Sequence, residues 1–289
     1  MTVQEGATAA DDSAVAAIEG RSVEIAGLRV HTSERGSGGR PFVVLHHSTG
    51  PLWTPFHDAL AAERAVLAPD LPGYGRSERP DDARSPRDLG ILTLRALDEL
   101  EPEPVHLVGL GMGGWVAAEM ASMAPRRLAS LTLVGAAGIK PRDGFIHDPM
   151  MSSWLDYART GFHDPARFDA VIGDDPPEPL LELWDHSREM TARVTWKPWM
   201  WSVTLPSMLR GVRTPALVVH GRHDRVVPLD CAEQYRDLLA DARLEIVEDA
   251  GHLVDLERPD ELARLVAEFV AAMPTTATNT TATAASRKG

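Results

Sequence analysis

The stretch VHLVGLGMGGWVAAEMA, Val105 to Ala121, carries the most specific chemical implication in this sequence. An apolar run, Val105 to Val108, leads into a glycine-rich turn and then a helical pattern opening at Gly113. That is the context in which G-x-S-x-G exposes a serine nucleophile on a sharp strand-to-helix turn. Gly111 stands at the serine position. Glycine accepts the positive φ of such a turn without strain, but it has no Oγ, Sγ or carboxylate, so an acyl- or alkyl-enzyme at this position is closed. Gly109, Gly111 and Gly114 also satisfy G-x-G-x-x-G between a strand and a helix. The dinucleotide fingerprint expects an acidic residue about 20 positions on, at the end of the next strand. Here that region reads LTLVGAAG, without an acid, and the motif lies mid-chain. Nicotinamide or flavin binding is therefore not expected, and no cofactor is implied.

The elements around this turn alternate. VEIAGLRVHTSE, PFVVLHH and AVLAPDL read as strands, with the short amphipathic TPFHDALAAE between the last two. SPRDLGILTLRALDEL opens on a Ser-Pro cap signal and repeats leucine at helical spacing. VHLVGL, LASLTLVGA, PALVVHG and ARLEIVED are short continuous apolar runs separated by helices, ending in PDELARLVAEFVAAM. That pattern belongs to a parallel sheet covered on both faces. From Lys140 to about Gly211 the strand signal disappears, and five of the seven tryptophans fall there: Trp154, Trp184, Trp196, Trp199 and Trp201. Such an insertion predicts a helical unit over the carboxyl ends of the strands, where open α/β sheets bind ligands. Its aromatic residues either pack the small unit or line a pocket.

The chain has 289 residues, 44% of them hydrophobic, and a formal charge of −13. A polyanion would be repelled, so no nucleic-acid partner is expected. Cys231 is the single cysteine, which excludes an intramolecular disulfide. Nothing at the N-terminus joins a basic segment to an apolar run, and no run approaches the roughly 20 apolar residues of a membrane span. A cytoplasmic protein without a membrane partner, monomer or homodimer, is expected. Residues 1–20 and 274–289 are small and polar without hydrophobic period and read as disordered tails.

Five motifs in order, LHHSTGP, DLPGYGRSERP, the turn at Gly111, HGRHDRVVP and EDAGHLVDLERPDEL, give the chain a resemblance to the α/β-hydrolase fold family over roughly residues 22 to 272. It resembles the cap-bearing branch, which includes carbon–carbon bond hydrolases and esterases. The resemblance implies an α/β, mostly parallel, doubly wound sheet of about eight strands with a helical cap. It divides the chain into a core of residues 21–139 and 212–273 and a cap of residues 140–211. The family's triad runs nucleophile, acid, histidine. Asp224 matches the acid and His252 the base, a pairing in which the carboxylate sets the tautomer and stabilises the imidazolium. The oxyanion hole maps to the backbone N–H groups of Met112 and Ser48, which need no side chain at the turn. The family usually has His-Gly where this chain has His46-His47. His47, Leu110, Trp115, Trp154 and Trp199 are the expected pocket residues.

Several functions remain open at this level. His252, oriented by Asp224, acts as general acid/base on water or on the substrate, a small apolar carbonyl compound, in hydrolysis or in lyase or cyclase chemistry. The nucleophile is relocated to Ser48 or Thr49, whose other role is capping the HSTGP turn. The protein is a pseudo-hydrolase that only binds a small ligand. Or the glycine replaces a serine by engineering. His46 and His47 suggest a metal, but spacing supplies no third ligand, and none is expected.

Overall fold

VEIAGLRVHTSE folds as a hairpin, not as one strand. In the computed structural model, which describes residues 18–273, β1 (Gly20–Ile25) and β2 (Leu28–Arg35) are antiparallel. They are joined at Ala26 and Gly27, with φ of 50° and 78°. Two consecutive positive φ values match the right-handed twist of the flanking strands. Gly20 thus opens the sheet within the segment expected to be a tail, and the rest of that expectation, residues 1–17 and 274–289, lies outside the described residues.

The chain continues through β3 (Phe42–Leu45), α1 (Pro55–Ala61), β4 (Val66–Pro69), α2 (Pro86–Leu100), β5 (Val105–Leu110), α3 (Met112–Met123) and β6 (Leu128–Val134). Four helices follow: α4 (Trp154–Gly161), α5 (Pro165–Val171), α6 (Glu178–Thr195) and α7 (Leu205–Leu209). Then come β7 (Ala216–Gly221), α8 (Leu229–Leu238), β8 (Ala242–Val247), α9 (Val254–Glu257) and α10 (Pro259–Ala271). The eight strands form one sheet in the order β1-β2-β4-β3-β5-β6-β7-β8. From β4 to β8 all pairings are parallel.

The continuous apolar runs follow from burial on both faces. On β5, Val105 and Leu107 pack with Leu89 and Leu97 of α2 and Val116 of α3. The alternate residues, Val108 and Leu110, pack with Phe56 and Leu60 of α1 and Leu262 and Val266 of α10. A strand with helices on both sides has no polar face to show. A third apolar cluster joins the α4–α6 segment to the sheet loops: Trp154, Tyr157, Phe162, Phe168 and Trp184 pack with Val226, Val227, Leu253 and Leu256. Among the described residues no helix is long and apolar enough to cross a membrane.

Candidate active site

The sheet delivers five loops to one place, because β3, β5, β6, β7 and β8 are neighbours and their carboxyl ends point the same way. β5 runs fully buried into Gly111, whose φ of 53° and ψ of −112° lie outside the usual range of residues with side chains. α3 begins at once, at Met112, one residue before the expected opening. The turn is pinned by hydrogen bonds from Gly111 N–H to Val134 O (2.9 Å) and from Ala137 N–H to Gly111 O (3.2 Å). Close approach also requires glycine at position 113, where a Cβ would stand 2.5 Å from the carbonyl oxygens of Leu45 and His46.

Asp224 sits on the loop after β7 and His252 on the loop after β8. The His252 Nδ1–H donates to Asp224 Oδ2 at 2.9 Å, and both side chains are buried. Asp224 Oδ1 accepts the backbone N–H groups of Val226 and Val227 at 2.7 and 2.8 Å. Burial alone would raise the Asp224 carboxyl, but the charge and hydrogen bond of His252, then His220 and the Val227 N–H, outweigh it and hold the group below its ordinary value. The carboxylate fixes the His252 proton on Nδ1, so Nε2 faces the turn with its lone pair. It lies 3.1 Å from where a Cβ on Gly111 would be. Glu257 braces this loop, accepting Gly251 N–H through one carboxylate oxygen and the His163 and Asp164 N–H groups, at 2.7 and 2.9 Å, through the other.

Met112 is the first residue of α3, so its N–H has no acceptor within the helix. Among the described residues, neither this N–H nor that of Ser48 donates a hydrogen bond to the protein. The Ser48 hydroxyl pairs with Tyr157 Oη at 3.3 Å, not with an imidazole. His46 is a framework residue: its Nδ1–H donates to His47 O (2.7 Å) and its Nε2 accepts Leu71 N–H (3.1 Å). Asp70, as its turn suggests, accepts a backbone N–H, that of Arg76 (2.8 Å).

His47 and Leu110 line a cavity of about 20 Å³, with Thr49, Trp184, Leu253 and Asp255 among the other walls. That is room for one water molecule. Three expected pocket residues lie elsewhere. Trp115 points from α3 into the core beneath the sheet, its Nε1–H donating to Glu119 at 3.3 Å. Trp154 packs edge-on against Tyr157, and Trp199 is bridged to Trp196. The cavity tryptophan is Trp184, which shares the aromatic insertion with Trp154 and Trp199; only the helix packing selects it. Asp255 was also missed. It bonds His47 Nε2 through Oδ1 at 2.9 Å, and in DLERPDEL it reads as an ordinary first-turn acid.

The buried histidines give stability an acid limit. Burial, aided by the charges of His47 and His57, lowers His46 from 6.5 to about 4. Burial likewise lowers His57 to about 4, against the opposing attraction of Asp255 and Asp58. Between about 4 and 6.5 the unfolded chain therefore binds more protons than the folded one, so stability is lost as pH falls through that window. Urea midpoints measured from pH 7.5 downward should drop from about pH 6.5 on, before the carboxylates titrate. A flat profile down to pH 4.5 would contradict the burial of these rings.

Fold and site together define the class: a hydrolase-type α/β sheet with the turn, acid and histidine loops in order. The sequence profile described as the alpha/beta hydrolase family matches residues 42–265, and the chain belongs to that family. It is similar to 2-hydroxymuconate semialdehyde hydrolase of Pseudomonas sp. strain CF600, 29% identical over 87% of this chain and 94% of that protein. It is 30% identical to a 2-hydroxy-6-oxononadienedioate/2-hydroxy-6-oxononatrienedioate hydrolase of Burkholderia vietnamiensis, over 84% of this chain and 91% of that protein. Among solved structures it resembles 2-hydroxy-6-oxo-6-phenylhexa-2,4-dienoate hydrolase from Rhodococcus sp. strain RHA1 with a TM-score of 0.71. That match has 25% identity and covers 88% of this chain and 99% of that one.

Proposed function

We propose that the protein is an enzyme that hydrolyses a small carbonyl compound with a water molecule in place of a serine nucleophile. His252 is the general base and acid, Asp224 its orienting partner, and the Met112 and Ser48 N–H groups the oxyanion donors. The observation that carries this is the direction of His252 Nε2, which faces the space beside Gly111 while Nδ1 is held by Asp224. A water there gives its proton to Nε2 as its oxygen bonds to the substrate carbonyl carbon. The oxyanion forms against the two backbone donors, and the imidazolium returns the proton to the leaving group as the bond to it breaks. The names of the relatives support a 2-hydroxy-6-oxo-dienoate skeleton as the substrate class. Residues 140–211 act as the cap, and Ala158, Ile172 and Trp184 from that segment help wall the cavity that His47 and Leu110 line.

The test uses 2-hydroxy-6-oxo-2,4-heptadienoate, the compound in the name of a 27% identical relative. Wild-type protein should release cleavage products detectable by mass spectrometry, and His252→Gln should lower the rate by about 10² to 10⁴. A fluorophosphonate probe should label neither. Stoichiometric labelling at Ser48 would instead make Ser48 the nucleophile. Binding without product in either form would make the protein a pseudo-hydrolase.

A further inference from the structure

His47 takes no part in the steps above, yet its geometry repeats that of His252. Its Nε2–H donates to Asp255 Oδ1 at 2.9 Å, with the two side chains 8% and 2% exposed. The lone pair therefore sits on Nδ1, which is buried and has no hydrogen-bond partner among the described residues. A buried polar atom left unpaired calls for an explanation. This one lies 2.6 Å from where a Gly111 Cβ would stand, beside the same point that His252 Nε2 approaches to 3.1 Å. The two rings meet edge to face, centroids 5.2 Å apart. With a side chain at position 111, either the His47 ring or the turn would have to shift. The two departures from the family pattern, histidine after His46 and glycine at the turn, thus meet in space: the His47 imidazole stands beside the point from which a side chain at 111 would start.

We propose that His47–Asp255 is a second catalytic dyad, and that His47 and His252 form a bifunctional proton-transfer site for small carbonyl compounds bearing a C–H next to the carbonyl. The proposal rests on the acid/base assignment of His252. One ring, as imidazolium, donates its proton to the carbonyl oxygen; the other, neutral, takes the proton from the adjacent carbon. The C–H pair becomes the C=C bond of an enol and the carbonyl π pair ends on the O–H. The rings have exchanged protonation states, and the reverse transfers restore both. No electron donor, acceptor or covalent intermediate is required.

Asp255, like Asp224, is held below its ordinary value: burial would raise it, but the charge and hydrogen bond of His47, then the charge of His57, outweigh that. Two carboxylates against two imidazoles leave the site negative even when one ring is charged. The other titratable groups packed here are His46 after β3, His57 on α1, His220 at the end of β7, 3.7 Å from Asp224, and Tyr157 on α4. Burial keeps His46, His57 and His220 neutral and Tyr157 protonated, so none supplies the second proton site near neutral pH. Asp255 acts as a positioning residue, setting the His47 tautomer as Asp224 sets that of His252.

The experiment follows deuterium incorporation at the α-carbon of 1-phenylpropan-2-one in D₂O by mass spectrometry, with buffer alone as reference. Wild-type protein should exchange above buffer, with a pH–rate profile that rises and then falls, since one ring must be neutral and the other charged. His47→Gln should lose about 10²-fold or more in exchange rate and one limb of the profile, as should His252→Gln, both variants being folded by circular dichroism and a cooperative melt. Asp255→Asn should also lose a limb, which a merely structural carboxylate would not cause; it carries the test should His47→Gln not fold. Exchange by His47→Gln at the wild-type rate with both limbs, while His252→Gln has lost it, overturns the proposal and leaves the His252 assignment standing. Absence of exchange in the wild type also overturns it, and the dienoate assay then separately decides the fate of His252.

Discussion

Asp224→Asn is expected to lower turnover by about 10⁴ while the protein stays folded, the scale seen when a triad histidine is held in the wrong tautomer. The reason lies in three hydrogen bonds. Oδ1 of Asp224 accepts two backbone N–H groups at 2.7 and 2.8 Å, and Oδ2 accepts the His252 Nδ1–H at 2.9 Å. An asparagine has one acceptor oxygen and one donor NH₂. Turning the oxygen toward the two N–H groups preserves the loop but aims the NH₂ at Nδ1, which must then accept. The His252 proton moves to Nε2, the nitrogen facing Gly111, and that nitrogen can no longer take a proton from water. Steady-state rates on the dienoate, with a thermal melt as control, measure this. A loss under about tenfold in a folded variant would mean that the pair does not work through this tautomer.

Gly111→Ser should not create a serine hydrolase, but Gly111→Ser combined with His47→Gly should. In the single variant the new Cβ would stand 2.6 Å from His47 Nδ1, and the residue would keep a φ of 53°. Either the ring or the turn must shift. A side chain at such an angle costs of order 1–3 kcal/mol, so the melting temperature should fall. Removing the ring clears the space and restores glycine after His46. The hydroxyl can then approach His252 Nε2 at roughly 2.6–3.2 Å, the reach of an activated nucleophile. Fluorophosphonate labelling at position 111, mapped by peptide mass spectrometry, should appear in the double variant and be absent or much slower in the single one. Equal labelling of both would show that the His47 ring does not hold the place of the missing side chain.

Much of the architecture is legible along the chain because burial writes itself into local pattern. VHLVGL and PALVVHG read as two-faced strands, since helices on both sides leave no polar face, and the strands they form, Val105–Leu110 and Ala216–Gly221, are buried throughout. Ser85 and Pro86 announce the start of α2 where it occurs. The hairpin inside VEIAGLRVHTSE was less visible, because its turn residues Ala26 and Gly27 are not the Asn-Gly or Asp-Gly pair that signals a primed turn. The aromatic insertion announced helices but not which tryptophan meets the cavity. A tryptophan at helical spacing has the same sequence signature on either side of its helix.

That position 111 itself offers no nucleophile follows from the sequence alone, because a glycine has no side chain in any fold. The order of turn, acid and histidine was settled with it, as was the family to which they belong. What the tertiary structure decided is what fills the gap. His47 and Asp255 are 208 positions apart, and neither carries a local signal of the other. They meet because β3 pairs with β5 and not with its chain neighbour β2, so the loop after Leu45 comes to rest against the turn at Gly111. Hydrophobic period encodes which face of a strand is buried; it does not encode which strand lies beside it. Strand order places the imidazole at the vacant turn, and packing in a dense interior keeps it there.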